Sequence, residues 1–169
     1  APDEPGNDTW PGESWRTGGA SVWVTATYDP DLNQTYWGTG NPGPWIGDMR
    51  PGDNLYTNSV LALDAGTGEI EGYHQYHHNG SWDWDEIDSP LLIDIERDGR
   101  TIPALVHPGR NGYLWLLERE ADGISFVDAH RYVYQNAFTA IDRQTGRPSY
   151  DLEHTPGTGR RALFCPSLS

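Results

Sequence analysis

The stretch SWDWDE at 81–86 sets two tryptophans and two aspartates in strict alternation. In an extended backbone residues i and i+2 point to the same side, so Asp83 and Asp85 share one face and Trp82 and Trp84 the other. Two carboxylates on one face repel each other unless a cation sits between them. Two readings stand at this point: a site for a hard metal ion, or an exposed turn with solvated acids and half-buried indoles. A second cluster, His74, His77 and His78, has the residue types of a transition-metal site. On a strand end, however, the HxxHH spacing spreads the imidazoles over both faces, and a solvated cluster is expected. No Ser-His-Asp order with a nucleophile elbow is visible, and no glycine-rich phosphate loop precedes a helix.

The elements that must carry these residues are short. The chain has 169 residues, enough for one domain with a sizeable core. Its 20 Gly, 13 Pro, 8 Trp and 9 Tyr describe many short strands joined by turns rather than helices. All 11 basic residues are Arg, and the net charge of −14 argues against nucleic acid or an anionic membrane while favouring a cation as ligand. Cys165 is the single cysteine, so no internal disulfide forms. No apolar run is long enough to span a bilayer, and no signal peptide is read at Ala1.

The first stretch, 1–18, is polar, rich in Gly and Pro, and expected to be loop. Strands are expected over 21–28, 35–39, 59–64, 70–76, 91–95, 101–106, 113–118, 124–127 and 137–142, with no long amphipathic helix. A weak repeat accompanies them: ALDAGTGE from Ala62 recurs as AIDRQTGR from Ala140, with a degenerate copy, LEREADG, at 117–123. In D-x-x-T-G the Asp accepts from backbone N–H groups further on and Gly supplies a positive φ, so each copy reads as a hairpin turn. The expected fold is all-β, a partial β-propeller. At ~40–45 residues per four-stranded antiparallel blade the chain holds roughly three to four blades, too few to close a ring. Residues 1–169 are thus expected to be a fragment of a single propeller domain, with open sheet edges.

Four stretches together resemble a known family: GGASVW (18–23), YWGTGNPGPW (36–45) with RPGDN (50–54), SWDWD (81–85) and LVHPGRNGYLWLLER (105–119). In order and spacing they are similar to quinoprotein alcohol dehydrogenases of the methanol/ethanol type, from about Thr9 to the C-terminus. The resemblance implies an eight-bladed propeller several-fold longer than this chain, using pyrroloquinoline quinone and a metal ion to oxidise a primary alcohol by hydride transfer. It implies periplasmic localisation and a cytochrome c-type electron acceptor.

Residue by residue, the resemblance makes Trp23 the floor on which the flat quinone lies, a natural use of an indole face. It makes Ser21, taken as two residues back on the same strand face, a hydrogen-bond partner of the cofactor. Asn41, in TGNPGP, matches a neutral oxygen ligand of the metal; its plain alternative is an Asx-turn asparagine. Arg110, in PGRNG, matches an arginine whose guanidinium fork donates to the quinone oxygens; its plain alternative is a turn arginine. Asp83 matches both a metal ligand and the catalytic base that takes the alcohol's proton. Asp85 matches an extra ligand found in lanthanide-using members, so the resemblance puts a lanthanide ahead of Ca2+. Without metal, the titration of the two carboxylates is expected to be split.

The departures from the family pattern are specific. A Glu ligand from an earlier blade, an adjacent-cysteine disulfide ring and later cofactor contacts have no match here. HHNGS stands before the W-D pair, where a His and acidic residues are usual. Gly72 and Tyr150 stand where the repeat normally ends in Trp, so weaker packing between blades is expected. On this reading the chain alone turns over negligibly. Two alternatives remain: a non-enzymatic propeller scaffold without cofactor, and a carbohydrate-binding module whose Trp37, Trp45, Trp82 and Trp84 form an exposed platform.

Overall fold

The computed structural model describes residues 2–167. Strands β1 (Thr27–Asp29), β2 (Gln34–Gly38), β3 (Ser59–Asp64) and β4 (Ile70–Gln75) form one four-stranded sheet in chain order. Strands β5 (Leu91–Arg97), β6 (Arg100–Pro108), β7 (Tyr113–Glu120) and β8 (Gly123–Arg131) form a second. Strands β9 (Phe138–Ile141) and β10 (Pro148–Tyr150) pair as a third, two-stranded sheet. Neighbours are antiparallel throughout, so each full sheet is the four-stranded meander of a propeller blade. Helical structure among the described residues is confined to short 3-10 turns, two of them, Asn7–Thr9 and Ser14–Thr17, in the N-terminal loop.

The expected strands match within a few residues, with one exception and one omission. The strand expected over 21–28 shrinks to Thr27–Asp29, because Ser21 to Trp23 make no ladder; the Ser21 carbonyl instead accepts the Gly40 N–H at 2.9 Å. Ser21 and Trp23 therefore do not share a strand face. Pro148 hid β10, since proline is read as a strand breaker, yet it stands at the first position, where an N–H is dispensable.

The core lies where the sheets meet. Tyr36 and Val60 from the first sheet face Leu105, Trp115 and Leu117 from the second, with Trp82, Trp84 and Phe138 filling the gap behind them. Period-2 burial along β2 and β7 presents these side chains to the interface.

The repeated turn occupies the same place in each full blade, joining third to fourth strand: β3 to β4, and β7 to β8; a further copy joins β9 to β10. The Asp64 carboxylate accepts from the N–H groups of Thr67 (2.6 Å) and Gly66 (2.9 Å), and Asp142 from those of Thr145 (2.8 Å) and Gln144 (3.0 Å). These backbone donors hold both carboxyls below the ordinary 3.8. The sign follows: below about 3.8 the unfolded chain takes up protons that the folded one refuses, so stability present above that pH is lost as pH falls. Thermal melts between neutral pH and pH 3 should show this acid limb, and Asp64→Asn with Asp142→Asn should flatten it.

At the two positions that depart from the usual Trp, contacts between blades take another form. A side chain at Gly72 would strike the Gly123 backbone of the next sheet (2.6 Å from its Cα), so glycine lets β4 and β8 close together. Tyr150 packs edge-on against Trp82 (4.9 Å between centroids) and donates to the His78 carbonyl at 2.5 Å. Asp29 and Arg119 add a buried ion pair across the seam between the two full sheets. A smaller residue in one position and a hydrogen-bonding aromatic in the other replace the usual indole.

Candidate functional site

The strand β2 delivers Thr39, Gly40 and Asn41 to one end of the first sheet. Thr39 fixes the exit: its hydroxyl donates to the Tyr56 carbonyl (2.7 Å) and accepts from the Ser59 N–H (2.9 Å). Gly40 is glycine for lack of space. A Cβ there would lie 2.8 Å from Asp85 Oδ1 and 2.9 Å from the Trp23 ring, so both close on the bare backbone. Asn41 follows, and its N–H donates to Asp85 Oδ1 at 2.9 Å.

The SWDWD stretch is not extended. Asp83 takes φ +58°, a left-handed conformation that aspartate tolerates better than most residues, and no strand runs through 81–85. The turn still separates the two residue types. Trp82 and Trp84 are buried and stacked face to face (4.9 Å, 13° between planes), their indole N–H groups donating to the carbonyls of His154 and Pro166. Asp83 and Asp85 are left half-buried beside Asn41. Burial of this tryptophan pair removes the exposed platform that the carbohydrate-binding alternative needs; of its residues only Trp45 is strongly exposed.

The Asp83 and Asp85 carboxylates and the Asn41 amide converge here. One end of the amide lies 3.2 Å from Asp83 Oδ1 and closer still to Asp85 Oδ1, the other 3.2 Å from the Trp45 indole nitrogen. With its nitrogen toward the carboxylates the amide donates to both and its oxygen accepts from Trp45, which satisfies every group. Turned the other way, its oxygen joins the two carboxylates as a third hard donor, so the set can also take a hard cation. Burial, and then the Asp85 charge, push the Asp83 carboxyl up, opposed by Arg110. Two carboxylates and one amide fall short of the six to eight oxygens a Ca2+-sized ion takes, so further ligands must come from outside this set. Among the described residues no group of three or more His, Cys, Asp and Glu side chains forms a metal cage.

Arg110 and Trp23 border this cluster. Arg110, in the turn between β6 and β7, brings Nη1 to 4.0 Å from Asp85 Oδ2 while remaining partly exposed. The Trp23 ring, 58% exposed, lies against Gly40 on the same side as Asp85. Ser21 is exposed and joins through its carbonyl. Asn41, Asp83, Asp85, Trp23 and Arg110 are therefore brought together, with Ser21 at their edge.

Sequence reasoning missed what lies behind them. Glu86, fully buried, accepts from Asn111 Nδ2 (2.9 Å) and the Arg110 N–H (3.2 Å), and pairs with His107 Nε2 at 2.7 Å. Burial pushes its carboxyl up, and His107 and the two donors pull it back. His77 sits beside it, 3.4 Å from Glu86 Oε1, edge-on to Trp84. The expected solvated histidine cluster is thus overturned: His74 and His77 are buried, and burial pushes both down to about 3. Strand β4 and its exit carry them into the interface between blades instead of out to solvent. Nothing local marks Glu86 or Asn111, because their partners come from distant segments.

Arg50 was also passed over. It is fully buried with no carboxylate partner among the described residues, and donates to the carbonyls of Pro44 (2.7 Å), Trp45 (3.0 Å) and Gly80 and to Asn54 Oδ1 (2.6 Å). Desolvation pushes it down to about 10, so it stays cationic at neutral pH. It ties the loop after Asn41 to the residue just before SWDWD. Arg50→Met leaves several buried acceptors without donors and should cost about 3 kcal/mol or more in denaturant unfolding.

The family described as glucose/ethanol/alcohol dehydrogenase, beta-propeller domain (PQQ) matches residues 1–131. The chain is 37% identical over 153 residues to quinoprotein alcohol dehydrogenase PedH of Pseudomonas putida, covering 88% of this chain and 25% of PedH. It is 39% identical over 166 residues to methanol dehydrogenase (cytochrome c) subunit 1 of Methylorubrum extorquens, covering 96% and 26%. A lanthanide-dependent methanol dehydrogenase of Methylacidiphilum fumariolicum is 36% identical over 144 residues, covering 85% and 23%. Among solved structures, a europium-containing methanol dehydrogenase superposes with a TM-score of 0.89 at 34% identity, over 95% of this chain and 28% of that one. The chain spans about a quarter of the length of these relatives. Sheet architecture and family match lead to one conclusion: this chain belongs to the PQQ-dependent alcohol dehydrogenase β-propeller family.

Proposed function

We propose that the protein oxidises a primary alcohol with pyrroloquinoline quinone and a hard metal ion, and that this chain supplies one part of the machinery. The observation that carries the reading is the convergence of the Asn41 amide and the Asp83 and Asp85 carboxylates beside the exposed Trp23 face. The quinone, when bound, supplies a two-electron acceptor, and the ion the Lewis acidity that polarises it.

The chain's own residues have distinct tasks. Trp23 offers a flat apolar face, open to a planar ligand because it stays largely uncovered by the described residues. Asn41, Asp83 and Asp85 hold the ion through one amide and two carboxylate oxygens. Asp83 also accepts the hydroxyl proton of the alcohol as hydride leaves the same carbinol. Arg110 donates its guanidinium N–H groups toward the same rim, where they stabilise negative charge on the reduced acceptor. Ser21 adds a hydroxyl at the edge.

The second carboxylate favours a lanthanide over Ca2+, since a trivalent ion gains more from each added negative ligand. A lanthanide-dependent relative and a europium-containing neighbour support that choice. The name of the Methylorubrum relative supports a cytochrome c as electron acceptor, and family resemblance supports the periplasm. No helix among the described residues is long and apolar enough to cross a membrane. The test is reconstitution of the full-length protein with quinone and either lanthanum or calcium, followed by alcohol-dependent dye reduction. Turnover greater with lanthanum supports the reading. A protein that binds neither quinone nor metal is the scaffold alternative.

A further inference from the structure

Three segments carry the site: 39–41 at the end of β2, 83–85, and the turn holding Arg110. Glu86 is bonded to all three. It follows Asp85 directly. Its backbone N–H donates to the Thr39 carbonyl at 3.3 Å, in an isolated bridge one residue before Gly40. Its carboxylate takes the Arg110 N–H at 3.2 Å and the Asn111 amide at 2.9 Å. Asn111 in turn accepts from the Tyr113 N–H and the Trp115 indole, both at 3.1 Å, which seats the turn on β7. Gly109 is bare where a Cβ would lie 3.0 Å from Glu86 Oε2, so the turn can close on the carboxylate.

We infer that Glu86 is a positioning residue: its buried carboxylate sets the Arg110 turn against Asp83 and Asp85, and so aims the guanidinium at the cofactor rim. Glu86 is fully buried, so its carboxylate is closed off from the open rim and acts through Arg110. The Arg110 N–H and the Asn111 amide reach opposite oxygens of the one carboxylate. A glutamine in its place has one acceptor oxygen and cannot serve both donors in that way.

The inference rests on the proposed function, and the experiment separates the two. In the full-length protein with lanthanum present, pyrroloquinoline quinone affinity is measured by quenching of tryptophan fluorescence. The proteins compared are wild type, Glu86→Gln, Arg110→Ala and the double variant. Glu86→Gln should weaken binding about tenfold. The double variant should bind no more weakly than Arg110→Ala alone, because without the guanidinium there is nothing left to aim. A merely structural glutamate would instead add its loss to that of Arg110. If Glu86→Gln does not fold, Glu86→Asp, which keeps the charge but withdraws it from the turn, is read in the same way. Wild-type affinity in the folded Glu86 variant, or losses that multiply in the double variant, overturn the inference alone. A wild-type protein that binds no quinone overturns the proposed function and the inference with it.

Discussion

Asp83→Asn should abolish alcohol oxidation by the full-length protein, lowering kcat by about 10^3- to 10^4-fold, while the chain stays folded. Removal of a positioned general base costs ~10^2 to 10^4 by itself, and the loss of a negative ligand to the ion adds to it. The substitution is nearly isosteric, and Asp83 contributes nothing to the tryptophan stack behind it, so stability should hold. Asparagine also accepts a left-handed φ such as the +58° at this position. The discriminating feature is the split between metal and chemistry. The substituted amide keeps one oxygen for the ion, so metal and quinone should still bind at raised concentrations with turnover absent. Turnover near the wild-type rate would remove Asp83 from the reaction and leave it a ligand only.

Asp85→Ala should weaken lanthanide binding by roughly 100-fold or more, and calcium binding by clearly less. Loss of an outer-shell partner alone typically costs about 10- to 100-fold in metal affinity, and Asp85 is proposed as a direct ligand. The trivalent ion gains more from the deleted charge than the divalent one, so the preference should move toward calcium. One structural complication has a clear sign. Asp85 Oδ1 also accepts the Asn41 N–H and crowds Gly40, so its removal loosens the neighbouring ligand. That loosening penalises both ions, and only the difference between them reports on charge. Titration of the full-length variant with each ion separates the contributions; an equal loss for both would leave the lanthanide preference without a basis.

How much of this was legible beforehand depended on the kind of information each residue carries. Strands such as Ser59–Asp64 and the D-x-x-T-G turns were legible because alternation and turn chemistry are local. The grouping of Asn41, Asp83 and Asp85 was also legible, but on a mistaken premise. An extended backbone was assumed, whereas a left-handed turn at Asp83 does the sorting. The outcome survived because two indoles burying together leave the intervening carboxylates outside, whatever the local φ. Glu86, Arg50 and the histidines were not legible, since each is decided by burial against distant segments. Glu86 meets His107 and Asn111 from another strand and turn, and Arg50 is satisfied by carbonyls scattered from Pro44 to Gly80. Charge on a surface-like stretch reads as solvated until the partner segment is known. The contacts of Gly72 and Tyr150 were hidden for the same reason, since they depend on what faces them, Gly123 and Trp82.

The claim on which the rest stands is that Asn41, Asp83 and Asp85 hold one hard trivalent ion beside an exposed indole. Terbium luminescence tests it most directly, because tryptophan sensitises bound terbium only at short range and Trp23 and Trp45 flank the oxygens. The full-length protein, titrated with terbium under indole excitation, should show saturable emission at one ion per chain. Asp85→Ala should shift the titration to about 100-fold higher terbium, and the Asn41→Ala, Asp85→Ala double variant should abolish the emission. Absence of sensitised emission in the wild type, or emission that both substitutions leave unchanged, would contradict the account.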